Sequence, residues 1–357
     1  MRKLGLTLSS ASALRPALST MMALVGAVVA GSIVLVIMGF DPAYVYYVIF
    51  AEAWYTEFGV TKTLIETVPL LIIASGLLVC FKAGIWNVGA QGQMIIGGLV
   101  ANVVGYSFGP LPSSIIIPLT LMAGVAAGAA WALPSAIMKA RWGINEIVTT
   151  LMLNFIAINL LMFLVKSPLR NPRQPHPMTI PIVPTATLPN TPGTQVHIGL
   201  VIALALSVVI YLVMTKTTLG FQFRCLGGNP KAARYAGLPI SRLMIVSLLI
   251  SAGTAGLAGA VQVCGVMRNL DPEWVPLYGF QAVALVFLAN LNALAVIPFS
   301  ILFSTFLVGG DLMHRIVGIP VFFIQLILGF MLVFFAAAES IRYVQVKWWG
   351  KGVKEIE

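Results

Sequence analysis

Long apolar runs, each closed by a few polar or basic positions, dominate the chain. Matched to the length a helix needs to cross a hydrocarbon layer, they predict ten spans. These lie near 21–40, 63–81, 85–105, 113–138, 145–165, 198–214, 243–264, 279–292, 295–312 and 319–338. The predicted fold class is therefore all-α, a polytopic membrane protein of about ten transmembrane helices. The eighth run is short; it tilts, pairs with the ninth as a hairpin, or is partly re-entrant. The first run, Met21 to Phe40, is too long for a signal peptide and has no clean small-residue cleavage site, so it is read as a retained span.

Three interruptions of the apolar pattern carry information. In Phe81-Lys-Ala-Gly-Ile-Trp-Asn-Val-Gly-Ala-Gln-Gly-Gln93, glycines alternate with amides. Glycine weakens a helix, and amides in hydrocarbon need partners, so a broken helix beside a polar pathway is expected, with Asn87 and Gln91 on one face. Close packing through interhelical amide bonds is the competing reading. In Asn145-Glu-Ile-Val-Thr-Thr-Leu-Met-Leu-Asn154, the residues Glu146, Thr150 and Asn154 recur at helical spacing. Such a stripe faces protein or water rather than lipid, and whether it meets a solute or a neighbouring helix stays open. Gln281 is the lone amide among apolar neighbours in the eighth span, and Gln262 plays that part late in the seventh; both are weaker signals than Asn87. Pathway-lining residues are thus read as Asn87, Gln91, Thr150, Asn154 and Gln281. Glu146 is read as a capping group or a partner of Arg141.

The third interruption, 223–238, is polar, basic and helix-prone. Asn229-Pro230 is a helix start, Lys231 to Ala236 continue it, and Gly237 with Pro239 stop it. The expected product is a short helix presenting Lys231, Arg234 and Tyr235 around Ala233, a shape suited to docking a partner. Elsewhere, Gly124 to Gly128 and Ser251, Ala255 and Gly259 read as seams for close helix packing.

Composition agrees with a lipid-embedded chain: 59% of 357 residues are hydrophobic and 9% charged. The net charge of +10 is a record of topology rather than a sign of nucleic acid. With both termini and the loops at Lys82, 139–143, 215–242 and 339–357 placed in the cytoplasm, fifteen of the 21 Lys and Arg residues fall there. That assignment makes 1–20 a cytoplasmic segment, 21–338 the transmembrane domain and 339–357 a tail anchored by Trp348 and Trp349. The opposite loop, 166–197, is proline-rich and is expected to be a rigid exposed strap.

Catalytic patterns are absent from the sequence. Gly350-Lys351 is followed by Gly, so no phosphate loop forms, and no nucleophile elbow or metal-binding helix motif occurs. Cys80, Cys225 and Cys264, like His176, His197 and His314, lack ligand spacing, and no metal is predicted. A self-sufficient secondary transporter needs ionisable groups inside the membrane, and the spans offer little beyond Glu66 and Asp311.

With those segments in view, the chain resembles permease subunits of bacterial ATP-binding-cassette importers of the branched-chain amino acid, simple sugar and nucleoside group. Gly84-Ile-Trp-Asn-Val-Gly-Ala-Gln-Gly-Gln93, Asn145 to Asn154, Gly227-Gly-Asn-Pro-Lys-Ala-Ala-Arg-Tyr-Ala-Gly237 and Gly279-Phe-Gln-Ala-Val-Ala-Leu285 carry the likeness, which is strongest to nucleoside permeases. The resemblance implies two inverted four-span halves around a central pathway. It implies a coupling helix formed by Asn229, Pro230, Lys231, Ala233, Arg234, Tyr235 and Gly237. The implied partners are an ATPase that holds ATP and Mg, a second permease subunit and an external solute-binding lipoprotein or periplasmic protein. The chain itself is expected to hold no cofactor and to sit in the bacterial inner membrane. The family's alternatives for the solute are a simple sugar or a branched-chain amino acid.

Overall fold

The computed structural model describes residues 2–109, 111–191, 193–320 and 322–354, with side chains described between Thr20 and Ala338. The roles read for 1–19 and for Trp348 and Trp349 fall on side chains outside the described residues. Every regular element among the described residues is helical, apart from two isolated β-bridges in the 166–197 strap. The helices are α1 (Arg2–Ile37), α2 (Pro42–Trp54), α3 (Glu57–Lys82), α4 (Ala90–Ser107), α5 (Ser113–Trp142), α6 (Glu146–Lys166) and α7 (Gly199–Lys216). They continue as α8 (Thr218–Gly228), α9 (Pro230–Tyr235), α10 (Ile240–Gln262), α11 (Tyr278–Leu288), α12 (Val296–Val317) and α13 (Phe322–Lys354).

Seven of these are long and apolar enough to cross a membrane: the Thr20–Ile37 part of α1, α3, α5, α6, α7, α10 and α12. The other three predicted spans fall on α4, α11 and the first part of α13. Helices α11 and Phe322–Ala338 are shorter apolar segments. Helix α4 is diluted by Gln91, Gln93 and Asn102 and is buried along most of its length.

Two elements depart from the sequence reading. Helix α2 was not predicted; Asp41 caps it by accepting from Ala43 N, and Pro42 opens its first turn. The island 223–238 is the end of α8 plus α9, because Asn229 is extended (φ −156°) and divides them.

The chain groups into two compact units. One holds Met1–Val60, Phe287–Asn290 and Thr305–Glu357. There α1 packs along α13, and the Tyr46 hydroxyl of α2 donates to Val28 O on α1 at 3.0 Å. Phe50 meets Phe306 edge-on at 5.5 Å. The other unit, Thr61–Val286 with Leu291–Ser304, is built around α4, which touches α5, α6 and α10.

Glycines set the separation at the centre of that second unit. A Cβ on Gly97 would lie 2.3 Å from Gly256 Cα, and one on Gly259 would lie 2.0 Å from Met94 O. Backbone therefore touches backbone there, and only small residues permit it. The Ser251-Ala255-Gly259 seam belongs to this interface.

The strap 166–197 is partly inside rather than simply exposed. Thr179, Ile182, Ala186, Leu188 and Val196 are buried. Its backbone is sewn to the end of α10, with Thr179 N donating to Leu270 O, Ile182 N to Arg268 O and Leu188 N to Cys264 O. Proline removes donors and stiffens the strap, but these N–H groups find carbonyls in and just beyond the π-helical turn at Val263–Met267.

Candidate functional site

The predicted interruption before α4 is real: Gly84 takes a left-handed conformation (φ +74°), and residues 85–89 leave the helical path before α4 starts at Ala90. Ile85 N still donates to Cys80 O, and Gly89 O accepts from Gln93 N, but the backbone of residues 86–88 has no helix partner, and unpaired amides inside such a unit are costly. The neighbouring side chains supply partners. Trp86 N donates to Glu146 Oε1 at 3.3 Å, Asn154 Nδ2 donates to Val88 O at 2.9 Å, and Gly92 N donates to Asn154 Oδ1 at 2.8 Å. A Cβ on Gly89 would lie 2.9 Å from Thr150 Cβ. The stripe Glu146, Thr150 and Asn154 on α6 thus faces the break, one residue per turn.

Asn87 sits at the middle of the break and is fully buried. It exchanges two hydrogen bonds of 2.9 Å with the carboxamide of Gln93, donates to Ser251 Oγ at 2.9 Å and accepts from Gly89 N at 3.0 Å. Its four bonding positions are all used. Thr150 donates back to Glu146 O at 2.6 Å, inside its own helix.

Glu146 is held by Lys139 Nζ at 2.7 Å rather than by Arg141. Lys139 and Arg141 are two positions apart on α5 and so leave opposite faces of the helix. Capping of α6 falls instead to Asn145, whose side chain accepts from Ile147 N.

The remaining amides behave differently. Gln91 and Gln262 are buried, Gln281 is half-buried, and each has a side-chain carbonyl oxygen enclosed in the protein with no partner. Gln91 packs on α11: a Cβ on Gly279 would lie 2.4 Å from Gln91 N. Gln262 Nε2 donates to the Tyr278 hydroxyl at 3.3 Å, and that hydroxyl donates in turn to Glu66 Oε2 in a short contact. Tyr278 and Gln281 are three apart on α11 and share a face. Helices α3, α4, α10 and α11 therefore bring a carboxylate, a phenol and three amides to one neighbourhood.

Tyr278 was missed in the sequence, and Glu66 was noted only as lying near a helix end. The available signal was an aromatic residue with a polar tip one turn before Gln281.

At the end of the unit that carries α8 and α9, the short helix has the predicted form. Asn229 Oδ1 accepts from Lys231 N at 3.0 Å and from Ala232 N at 3.1 Å, and Pro230 opens the first turn. Gly237 closes the element at φ +78°. Ala233 is buried, while Lys231 and Arg234 are exposed and Tyr235 is 94% exposed. The helix is thus rooted by one alanine and offers its charged and aromatic groups outward. The end of α8, which leads into it, touches the break. A Cβ on Gly227 would lie 2.2 Å from Lys82 O, and one on Gly84 would lie 3.2 Å from Gly227 Cα.

Over 90% of its length the chain is 31% identical to a glucose ABC transporter permease protein of Haloferax volcanii, covering 87% of that protein. It is 28% identical to a guanosine ABC transporter permease protein of Bacillus subtilis, over 93% of this chain and 96% of that one. It is 29% identical to a nucleoside ABC transporter permease protein of Lactococcus lactis subsp. cremoris, over 93% of both. Residues 59–337 match the family described as the permease component of branched-chain amino acid transport systems. The chain belongs to that family and is a membrane-spanning permease subunit of an ABC transporter.

Proposed function

We propose that the chain forms the translocation pathway of an ATP-driven nucleoside importer in the bacterial inner membrane, with both termini cytoplasmic. The observation that carries the reading is the contact between the end of α8, which leads into the α9 helix, and the glycine break. A partner ATPase, holding ATP and Mg, pushes on Asn229 to Gly237. The motion passes through Gly227 to Lys82 and Gly84 and reaches the polar wall made by Asn87, Gln91, Thr150, Asn154 and Gln281. A second permease subunit completes the pathway, and an external binding protein delivers the solute. In this reading α4, α11 and the first part of α13 join the seven long helices to give ten spans arranged as inverted halves.

A nucleoside is favoured because two of the relatives are named for guanosine or nucleoside transport. A second reading, glucose, has the support of the 31% identical relative. Uptake of labelled guanosine and labelled glucose by cells expressing the whole transporter separates them. Guanosine accumulation that depends on this chain is the expected result. Accumulation of glucose alone overturns the nucleoside reading.

A further inference from the structure

The group at Glu66, Tyr278, Gln262, Gln91 and Gln281 has a property that packing does not explain. Tyr278 donates to Glu66 and Gln262 donates to Tyr278. The side-chain carbonyls of Gln91, Gln262 and Gln281 are enclosed and have no partner among the described residues. Buried carbonyls without donors are rare in folded proteins, and their persistence in one neighbourhood points to donors supplied from outside.

Depth and charge add to this. Glu66 lies nine residues from the start of α3 and sixteen from its end, about 14 Å and about 24 Å along the axis. A carboxylate at that depth in an apolar helix is costly unless it serves a site. A phosphate or carboxylate solute would meet that negative charge in a medium of low polarity, where like charges repel strongly.

We infer that these residues form a recognition site for a neutral solute that presents several O–H or N–H donors, such as the sugar ring of a nucleoside, and that Gln91, Gln262 and Gln281 each accept a hydrogen bond from it. The inference rests on the reading of the chain as a solute permease. Glu66 and Tyr278 hold the geometry, the phenol fixing the carboxylate and the Gln262 amide fixing the phenol. The amide carbonyls are the contacts the passing solute uses.

The experiment uses the complete transporter, purified and placed in lipid vesicles, with guanosine at saturating concentration and glucose in a parallel series. Gln91→Leu and Gln281→Leu each remove an acceptor that nothing in the protein uses. The expected result is an uptake rate at least 10-fold lower, with the melting temperature of the solute-free complex unchanged or raised. Gln281→Glu, which keeps an acceptor, retains more uptake than Gln281→Leu. An uptake rate within 2-fold of wild type in both Leu variants overturns the inference while leaving the permease reading intact. A fall in melting temperature alongside the loss of uptake also overturns it, because the amides are then structural. Glucose moved in place of guanosine, with the same loss in the variants, upholds the acceptor site and overturns only the nucleoside reading. A wild-type complex that moves neither solute removes the solute reading and the inference together.

Discussion

At the scale of single residues, the break before α4 stands on amide chemistry. Asn87 and Gln93 satisfy each other twice, and Asn87 also holds Ser251 and the Gly89 amide. Replacing Asn87 with Leu leaves the Gln93 carboxamide stranded, at a cost on the order of 2–4 kcal/mol. The purified transporter carrying Asn87→Leu should therefore melt several degrees lower. Adding Gln93→Leu should recover part of the loss, since replacing both partners with apolar groups is far cheaper than orphaning one. A residue that only lined a pathway would give the opposite pattern, with melting unchanged and uptake reduced. The stripe on α6 was legible because spacing alone places Glu146, Thr150 and Asn154 on one face. What spacing did not show was that this face meets backbone: the partners of Asn154 are Val88 O and Gly92 N, which become available only once the helix breaks.

At the scale of elements, the long spans and the α9 helix were legible for different reasons. A span announces itself by length, and a short polar helix by its cap and its stop: Asn229, Pro230 and Gly237 occupy the places predicted for them. Helix α2 was not legible because its 13 residues, apolar apart from Glu52 and the tyrosine hydroxyls, give neither the length of a crossing nor the periodicity of a surface helix. Helix α8 has Thr217 as its cap and ends on two glycines. Those glycines now make a sharp comparison. Gly227 touches Lys82 O, whereas Gly228 has open space around it. Gly227→Leu should separate the end of α8 from the break, cutting guanosine uptake by 10-fold or more while partner ATP hydrolysis continues. Gly228→Leu, one residue away, should leave uptake within 2-fold. Equal effects at the two positions would show that α8 itself, and not this contact, is what matters.

For the whole molecule, the question is where the work of transport comes from. An ion-coupled carrier moves charge through its spans, yet among the described residues acidic groups within the long apolar helices are scarce. Glu66 is tied to Tyr278, and Asp311 lies 3.6 Å from Arg315 one turn along α12. The alternative proposed here is a separate ATPase, and the exposed Lys231, Arg234 and Tyr235 are the groups available to meet it. Arg234 makes no ion pair among the described residues, so reversing its charge disturbs no contact there. Arg234→Glu should therefore fold and melt like the wild type, yet uptake by the full transporter should fall at least 10-fold. The chain reconstituted alone, given a proton or sodium gradient, should accumulate nothing. Gradient-driven accumulation by the lone chain would place the energy source inside this protein and remove the role assigned to α9.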